Sequence, residues 1–124
     1  MARAVMIHHM NVPVDDIDAA RDFYGRTLGL PEIKRPDVGR PGLWFGCPPN
    51  ELHLSVQPGL QGGRTGLSLH PGERPERRGG HVAFTMDGSL DDTAGLPQIF
   101  CEDPAGNLVE LNTGWAQQPV GGAR

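Results

Sequence analysis

Four side chains able to ligate a metal or carry a proton recur at matching places along this chain: His9 and His81, then His53 and Glu110. In His9-Met10-Asn11-Val12-Pro13-Val14-Asp15 and His81-Val82-Ala83-Phe84-Thr85-Met86-Asp87, a His precedes an Asp by six residues, with apolar residues at alternate positions between. In Asn50-Glu51-Leu52-His53-Leu54 and Asn107-Leu108-Val109-Glu110-Leu111, an Asn is followed three residues later by a potential ligand and then by Leu. Pro48 and Pro104 stand shortly upstream. Imidazoles and carboxylates bind divalent metals, and both also serve as general bases. Agreement at both ends, in the same order, argues for an internal duplication, which would fix the architecture.

The elements that must hold these groups follow from hydrophobic period. Each of the four segments alternates as a half-buried strand does. Met10, Val12 and Val14 oppose His9 and Asn11, and Leu52, Leu54 and Val56 oppose Glu51, His53 and Ser55. Val82, Phe84 and Met86 oppose His81, Ala83 and Thr85, while Val109 and Leu111 oppose Leu108, Glu110 and Asn112. Successive strand side chains point to opposite faces, so every candidate ligand lies away from its strand's apolar row. One face is expected to pack on helices and the other to line a cavity.

A helix is expected over about Asp16 to Leu28, capped by Asp15 or Asp16 and ended by Gly29, with Ile17, Ala20, Tyr24 and Leu28 on its core face. Gly42-Leu43-Trp44-Phe45 reads as a strand, and Trp44 and Phe45 are expected in the core. Cys47-Pro48-Pro49-Asn50 reads as a turn into the His53 strand. The second half differs. Gly88 to Pro97 leaves room for one helical turn at most, around Ser89 to Ala94, before the strand Gln98-Ile99-Phe100-Cys101. A partner subunit, or the long connection from Gln57 to Gly80, is expected to cover the sheet face a second helix would have covered.

Composition sets outer bounds. A chain of 124 residues, 37% hydrophobic and 21% charged, suits one globular domain. We read a single domain over 1–118, with module one at about 5–57, a connection at 58–79 and module two at about 80–113; residues 119–124 are expected to be a disordered tail. No stretch approaches the ~20 apolar residues of a membrane span. The N-terminus has no apolar signal region, so a cytoplasmic location is expected. A net charge of −4 gives no reason for nucleic-acid binding. Arg74, Arg77 and Arg78 cluster but are interleaved with Glu73 and Glu76, as in a solvated loop. Cys47 and Cys101 make no disulfide framework and read as buried free thiols, Cys101 lacking a basic partner that would make it a nucleophile.

Taken together, several of these segments resemble one family. His9 within Ile7-His8-His9-Met10-Asn11-Val12, with Asp16-Ile17, the Ala20-Arg21-Asp22-Phe23-Tyr24 helix and Leu28-Gly29-Leu30, is similar to the opening module of vicinal-oxygen-chelate proteins, the glyoxalase/bleomycin-resistance/extradiol-dioxygenase superfamily. Asp103-Pro104-Ala105-Gly106-Asn107-Leu108-Val109-Glu110-Leu111 resembles their closing hairpin, and its Asp-Pro-x-Gly-Asn run followed by Glu is the most specific motif. The resemblance covers 5–57 and 80–113. It implies an α+β fold of two βαβββ modules forming a curved sheet around a cavity, here with a second module lacking most of its helix.

The same resemblance implies one divalent metal ion (Fe, Ni, Co, Zn or Mn) held by His9, His81 and Glu110. His53, in the module-one place equivalent to Glu110, is a fourth ligand, a substrate-contacting base or a satisfied cavity histidine, and Glu51 on the same face is the second choice of base. Two imidazoles and a carboxylate leave coordination positions open, so the ion can polarise oxygens chelated to it. The leading expectation is a metal-dependent lyase or isomerase acting on a small oxygen-chelating metabolite. An extradiol-type Fe(II) dioxygenase is the nearest rival, although four protein ligands would crowd it. Thiol transfer to an antibiotic lacks a distinctive potassium- or phosphonate-binding cluster. The rival from another class is a metal-free protein that sequesters a drug. By analogy a homodimer is expected. His8, facing away from His9, and His70, in a turn, are expected to be structural or at the surface; Trp115 is expected at a cavity mouth or dimer contact.

Overall fold

Strand β1 (His9–Val14) begins at the first candidate ligand and pairs in parallel with β4 (Asn50–Val56). This is a computed structural model, and it describes residues 1–57, 80–88, 98–114 and 120. Strand β3 (Gly42–Cys47) lies antiparallel to β4, and the two-residue β2 (Glu32–Ile33) lies antiparallel to β3. The order β1-β4-β3-β2 leaves β1 on the edge. Pro13, which lacks an N–H, is therefore tolerated there.

Between β1 and β2 runs α1 (Ile17–Arg21), which continues as a π-helical stretch over Asp22–Thr27. Its start is fixed by Asp16, whose Oδ1 accepts the amides of Asp18 and Ala19 at 3.0 Å each. Its end is fixed by Gly29 at φ 77°, which lets the Leu30 amide bond back to the Tyr24 carbonyl at 3.0 Å. Ala20 and Tyr24 are buried, with Ile17 and Leu28 partly buried against them, as their spacing predicts.

The second module contributes β5 (Val82–Thr85), β6 (Gln98–Glu102) and β7 (Leu108–Asn112), in the order β5-β7-β6. β5 and β7 are parallel and β6 and β7 antiparallel, repeating the pairing of β1, β4 and β3. The duplication read from the sequence thus extends to strand direction. No helix occurs among the described residues of this module. The expected helical turn at 89–94, the connection 58–79 with His70 and its arginines, and Trp115 lie outside the described residues, as does the 119–124 tail apart from Val120.

Val12, Val14, Leu43, Phe45, Leu52 and Leu54 from the first sheet share one core with Val82, Phe84 and Val109 from the second. Tyr24 joins the two, its ring centroid 6.3 Å from both Phe45 and Phe84. Each such buried side chain contributes roughly 1.5–3 kcal/mol relative to exposure. The Asp-Pro-Ala-Gly-Asn turn locks the modules together. Buried Asp103 accepts the amides of Ala105 and Asn107 on Oδ1, and the Tyr24 hydroxyl (2.7 Å) and Asn107 Nδ2 (2.9 Å) on Oδ2. Asn107 Nδ2 also donates to the Pro13 carbonyl at 2.7 Å. The most specific motif of the sequence is therefore a structural clasp between β1, α1 and the closing hairpin.

Candidate functional site

Register decides which polar groups meet. In β1 and β4, His9 stands opposite Glu51 and Asn11 opposite His53, so His9 and His53 are diagonal neighbours on one face. In β5 and β7, Ala83 stands opposite Glu110. His81, the residue just before β5, reaches the Glu110 carboxylate from that side. The two modules thus repeat one contact with different chemistry: His beside His in the first, His beside Glu in the second.

In the second module, His81 Nε2 lies 3.3 Å from Glu110 Oε1, with the side chains 27% and 8% exposed. Asn112 Nδ2 donates to the other carboxylate oxygen, Oε2, at 2.9 Å. The Asn112 Oδ1 accepts the Thr85 hydroxyl and the Gly114 amide, so the amide's orientation is determined by its partners. His81 Nδ1 is buried and has no hydrogen-bond partner among the described residues. Two donors on one divalent ion with ~2.1 Å bonds stand about 3.0–3.4 Å apart. The His81–Glu110 spacing, with a second residue steering the carboxylate, fits two neighbouring places around such an ion.

In the first module, three rings are stacked. Trp44 lies on His53 with centroids 4.0 Å apart and planes 4° apart, and His53 lies on His9 at 3.9 Å and 16°. His53 Nε2 is 2.9 Å from Glu51 Oε1. That hydrogen bond, helped by the nearby histidines, lowers the Glu51 pKa below the usual carboxylate range. Glu51 is therefore a carboxylate at neutral pH. His8 Nδ1 approaches His9 Nδ1 at 3.0 Å.

Two expectations change here. Phe45 is core, but Trp44 is half-buried on the site face, because adjacent strand residues cannot both point inward. His8 is exposed as expected, yet it contacts His9, because β1 begins only at His9 and strand alternation does not reach His8. The sequence reading missed the Trp44–His53–His9 stack and Asn112. The 3.6-versus-2 periodicity carried the signal for Trp44, which alternates with Leu43 and Phe45. Asn112 lies two residues beyond Glu110 on the same strand face, a spacing that was visible.

His9, Glu51 and His81 line one cleft of about 280 Å³, together with Met10, Asn50 and Phe84. Glu110 is not at its wall but touches His81. Among the described residues no three His, Cys, Asp or Glu side chains converge as a metal-holding group. The candidate ligands thus fall into a pair, His81 with Glu110, and a separate ring stack, His9 with His53. Cys47 and Cys101 are both free and half-buried, and burial pushes the Cys101 thiol up, with Asp103 and Glu102 adding to the effect. No described helix is long and apolar enough to cross a membrane.

Comparisons with known proteins agree with this layout. A glyoxalase family protein from Bacillus anthracis is 27% identical and superposes with a TM-score of 0.59, over 90% of this chain and 97% of that one. A glyoxalase/dioxygenase from Nostoc punctiforme is 26% identical, with a TM-score of 0.57 over 90% and 97%. Lactoylglutathione lyase from Agrobacterium tumefaciens shares the fold at 21% identity, with a TM-score of 0.55 over 88% and 93%. No curated protein matches the sequence. The Glyoxalase/Bleomycin resistance protein/Dioxygenase superfamily profile matches residues 6–93, most of the chain, ending before Glu110. The repeated strand pairing of the two sheets and this match together place the chain in the Glyoxalase/Bleomycin resistance protein/Dioxygenase superfamily.

Proposed function

We propose that the chain is a metal-dependent enzyme, of lyase or isomerase type, acting on a small metabolite that presents neighbouring oxygens. The observation that carries this reading is the His81–Glu110 pair at 3.3 Å, with Asn112 steering the carboxylate. His81 and Glu110 would hold a divalent ion, with His9 as third ligand from across the cleft. A bound ion supplies Lewis-acid polarisation of chelated oxygens. The chain's own groups then have distinct tasks. Glu51, ionised and lining the cleft, is placed to take a proton from a bound substrate, and His53 orients it through their 2.9 Å contact. Met10, Leu52 and Phe84 give the cleft an apolar side against which the carbon skeleton of a substrate would pack.

A specific observation favours a second reading, a metal-free protein that sequesters an aromatic drug. The His9 ring, backed by His53 and Trp44, lines an open cleft, and no three ligands converge among the described residues. A homodimer is part of either reading. Val5, Met6 and Ile7 are 86%, 52% and 77% exposed just before the edge strand β1, an apolar run that a second copy would cover.

Thermal melting separates the two. An ion at a hundredfold excess over its Kd stabilises by about 2.7 kcal/mol, or roughly 10 °C in Tm for a domain this size. Chelator should therefore lower the Tm of metal-loaded protein by that order, and have no effect on Glu110→Ala. An unchanged melt for metal-loaded wild type would favour the sequestration reading.

A further inference from the structure

At the other end of β4 from the cleft, a smaller cavity of about 130 Å³ is lined by Arg35, Arg40, Ser55 and Gln57, and by no Asp or Glu among the described residues. In a chain of net charge −4 arginines find carboxylates easily, and Arg21 and Arg26 do so, on Glu32 and Asp22. Arg35 and Arg40 have no carboxylate at ion-pair distance among the described residues. Asp37, close to both in sequence, is turned into its own loop, where Oδ1 accepts the Gly39 amide at 2.9 Å.

Arg35 is nevertheless held in place. Its Nη1 donates to the Arg40 carbonyl at 2.7 Å, and its guanidinium lies over Gly42, where a Cβ would stand 2.9 Å from Nε and 3.0 Å from Cζ. Glycine at 42 thus gives the guanidinium its seat. A guanidinium carries five N–H donors in a fixed fork, so one bond to a carbonyl leaves most of them unspent. The groups around it are already committed: the Ser55 hydroxyl donates to Asn11 Oδ1, and the Val56 and Gln57 amides donate to the Pro41 and Val14 carbonyls.

We propose that Arg35 and Arg40 form a binding site for a phosphoryl group, as the free ion or as the end of a small phosphate monoester. Two guanidinium charges match a dianion, and the guanidinium fork matches its oxygens. The cavity suits a tetrahedral oxyanion rather than a drug-sized ligand. Gly42 pairs with Ser55 and Trp44 with His53, so the site lies two residues along the same strands from the ring stack, roughly 7 Å away. A monoester anchored there has Trp44 and His53 within reach of its organic end. The inference stands apart from the metal reading.

The test is a titration of the full chain, followed in ¹H–¹⁵N spectra at constant ionic strength, with inorganic phosphate, glycerol 3-phosphate and acetate as probes. Phosphate should shift the Gly42 and Gln57 amides and the Arg35 Nε–H, and Arg35→Gln or Arg40→Gln should weaken its binding roughly tenfold. Arg26→Gln removes an exposed cation elsewhere and should leave binding unchanged. Tighter binding of glycerol 3-phosphate, with an added shift of the Trp44 indole, identifies a monoester as the ligand; equal or weaker binding without that shift identifies the free ion. The wild-type shifts decide the matter even where a variant fails to fold. The proposal is overturned if phosphate moves none of those wild-type signals, if Arg26→Gln costs as much as Arg40→Gln, or if acetate binds as tightly as phosphate.

Discussion

A buried carboxylate that accepts four hydrogen bonds, as Asp103 does, makes each of its donors costly to lose. Tyr24→Phe keeps the ring between Phe45 and Phe84 and removes only the hydroxyl. It should destabilise by about 1.5–3 kcal/mol, the worth of a hydrogen bond to a charged group, read as a lower urea midpoint at unchanged slope. The Tyr24 hydroxyl itself is driven far above its ordinary pKa, chiefly by burial and then by the Asp103 carboxylate, so it stays a donor at any working pH. Cys101 follows the same logic. Its raised pKa means less thiolate at a given pH, so its alkylation at pH 8 should be clearly slower than that of a free thiol in an unfolded peptide. At this scale the sequence was only partly legible. The Asp-Pro-x-Gly-Asn motif announced itself, but its partner Tyr24 lies 79 residues away, and nothing in local spacing connects a helix tyrosine to a hairpin aspartate.

At the scale of elements, the strands were legible because each alternates with period two, and α1 because its cap, its apolar stripe and Gly29 agree. The π-helical stretch over Asp22–Thr27 was not foreseen, since a period of 3.6 does not distinguish one widened turn. Gly29 is the residue that lets that stretch stop. Gly29→Ala should cost roughly 1–2 kcal/mol, because an L side chain at φ 77° is strained even though space is open there. By contrast Arg21, which clasps Glu32 at 2.8 Å between α1 and β2, sits where solvent screens it. Arg21→Ala should change stability by about 0.5 kcal/mol or less, a shift in Tm near the limit of calorimetry. The pairing of strands into two sheets was outside local reach, because parallel partners such as β1 and β4 are joined only through residues 15–49, which carry the helix and two further strands.

At the scale of the whole molecule, duplication is the organising fact. The same contact between matching positions recurs in both modules, and divergence at one position, His53 against Glu110, has made one copy a ring stack and the other a ligand-like pair. The sequence exposed the repeat and the four positions. It could not expose that His9 rests on His53, because side-chain placement in a cleft depends on packing that spans both modules. The exposed apolar run before β1 belongs at this scale too. Light scattering should give a mass of two chains, and charged substitutions at Val5 and Ile7 should reduce it to one.

The central claim, that His81 and Glu110 anchor a divalent ion, is tested most directly by elemental analysis. Tag-free wild type purified without chelator would be measured beside a His81→Ala/Glu110→Ala double variant of native circular dichroism. The account predicts near-stoichiometric metal in the wild type and loss of it in the variant, with iron directing the search to dioxygenase substrates and nickel, cobalt or zinc to isomerase and lyase substrates. Equal metal content in the two proteins, or a wild type that neither retains nor takes up metal, would contradict it.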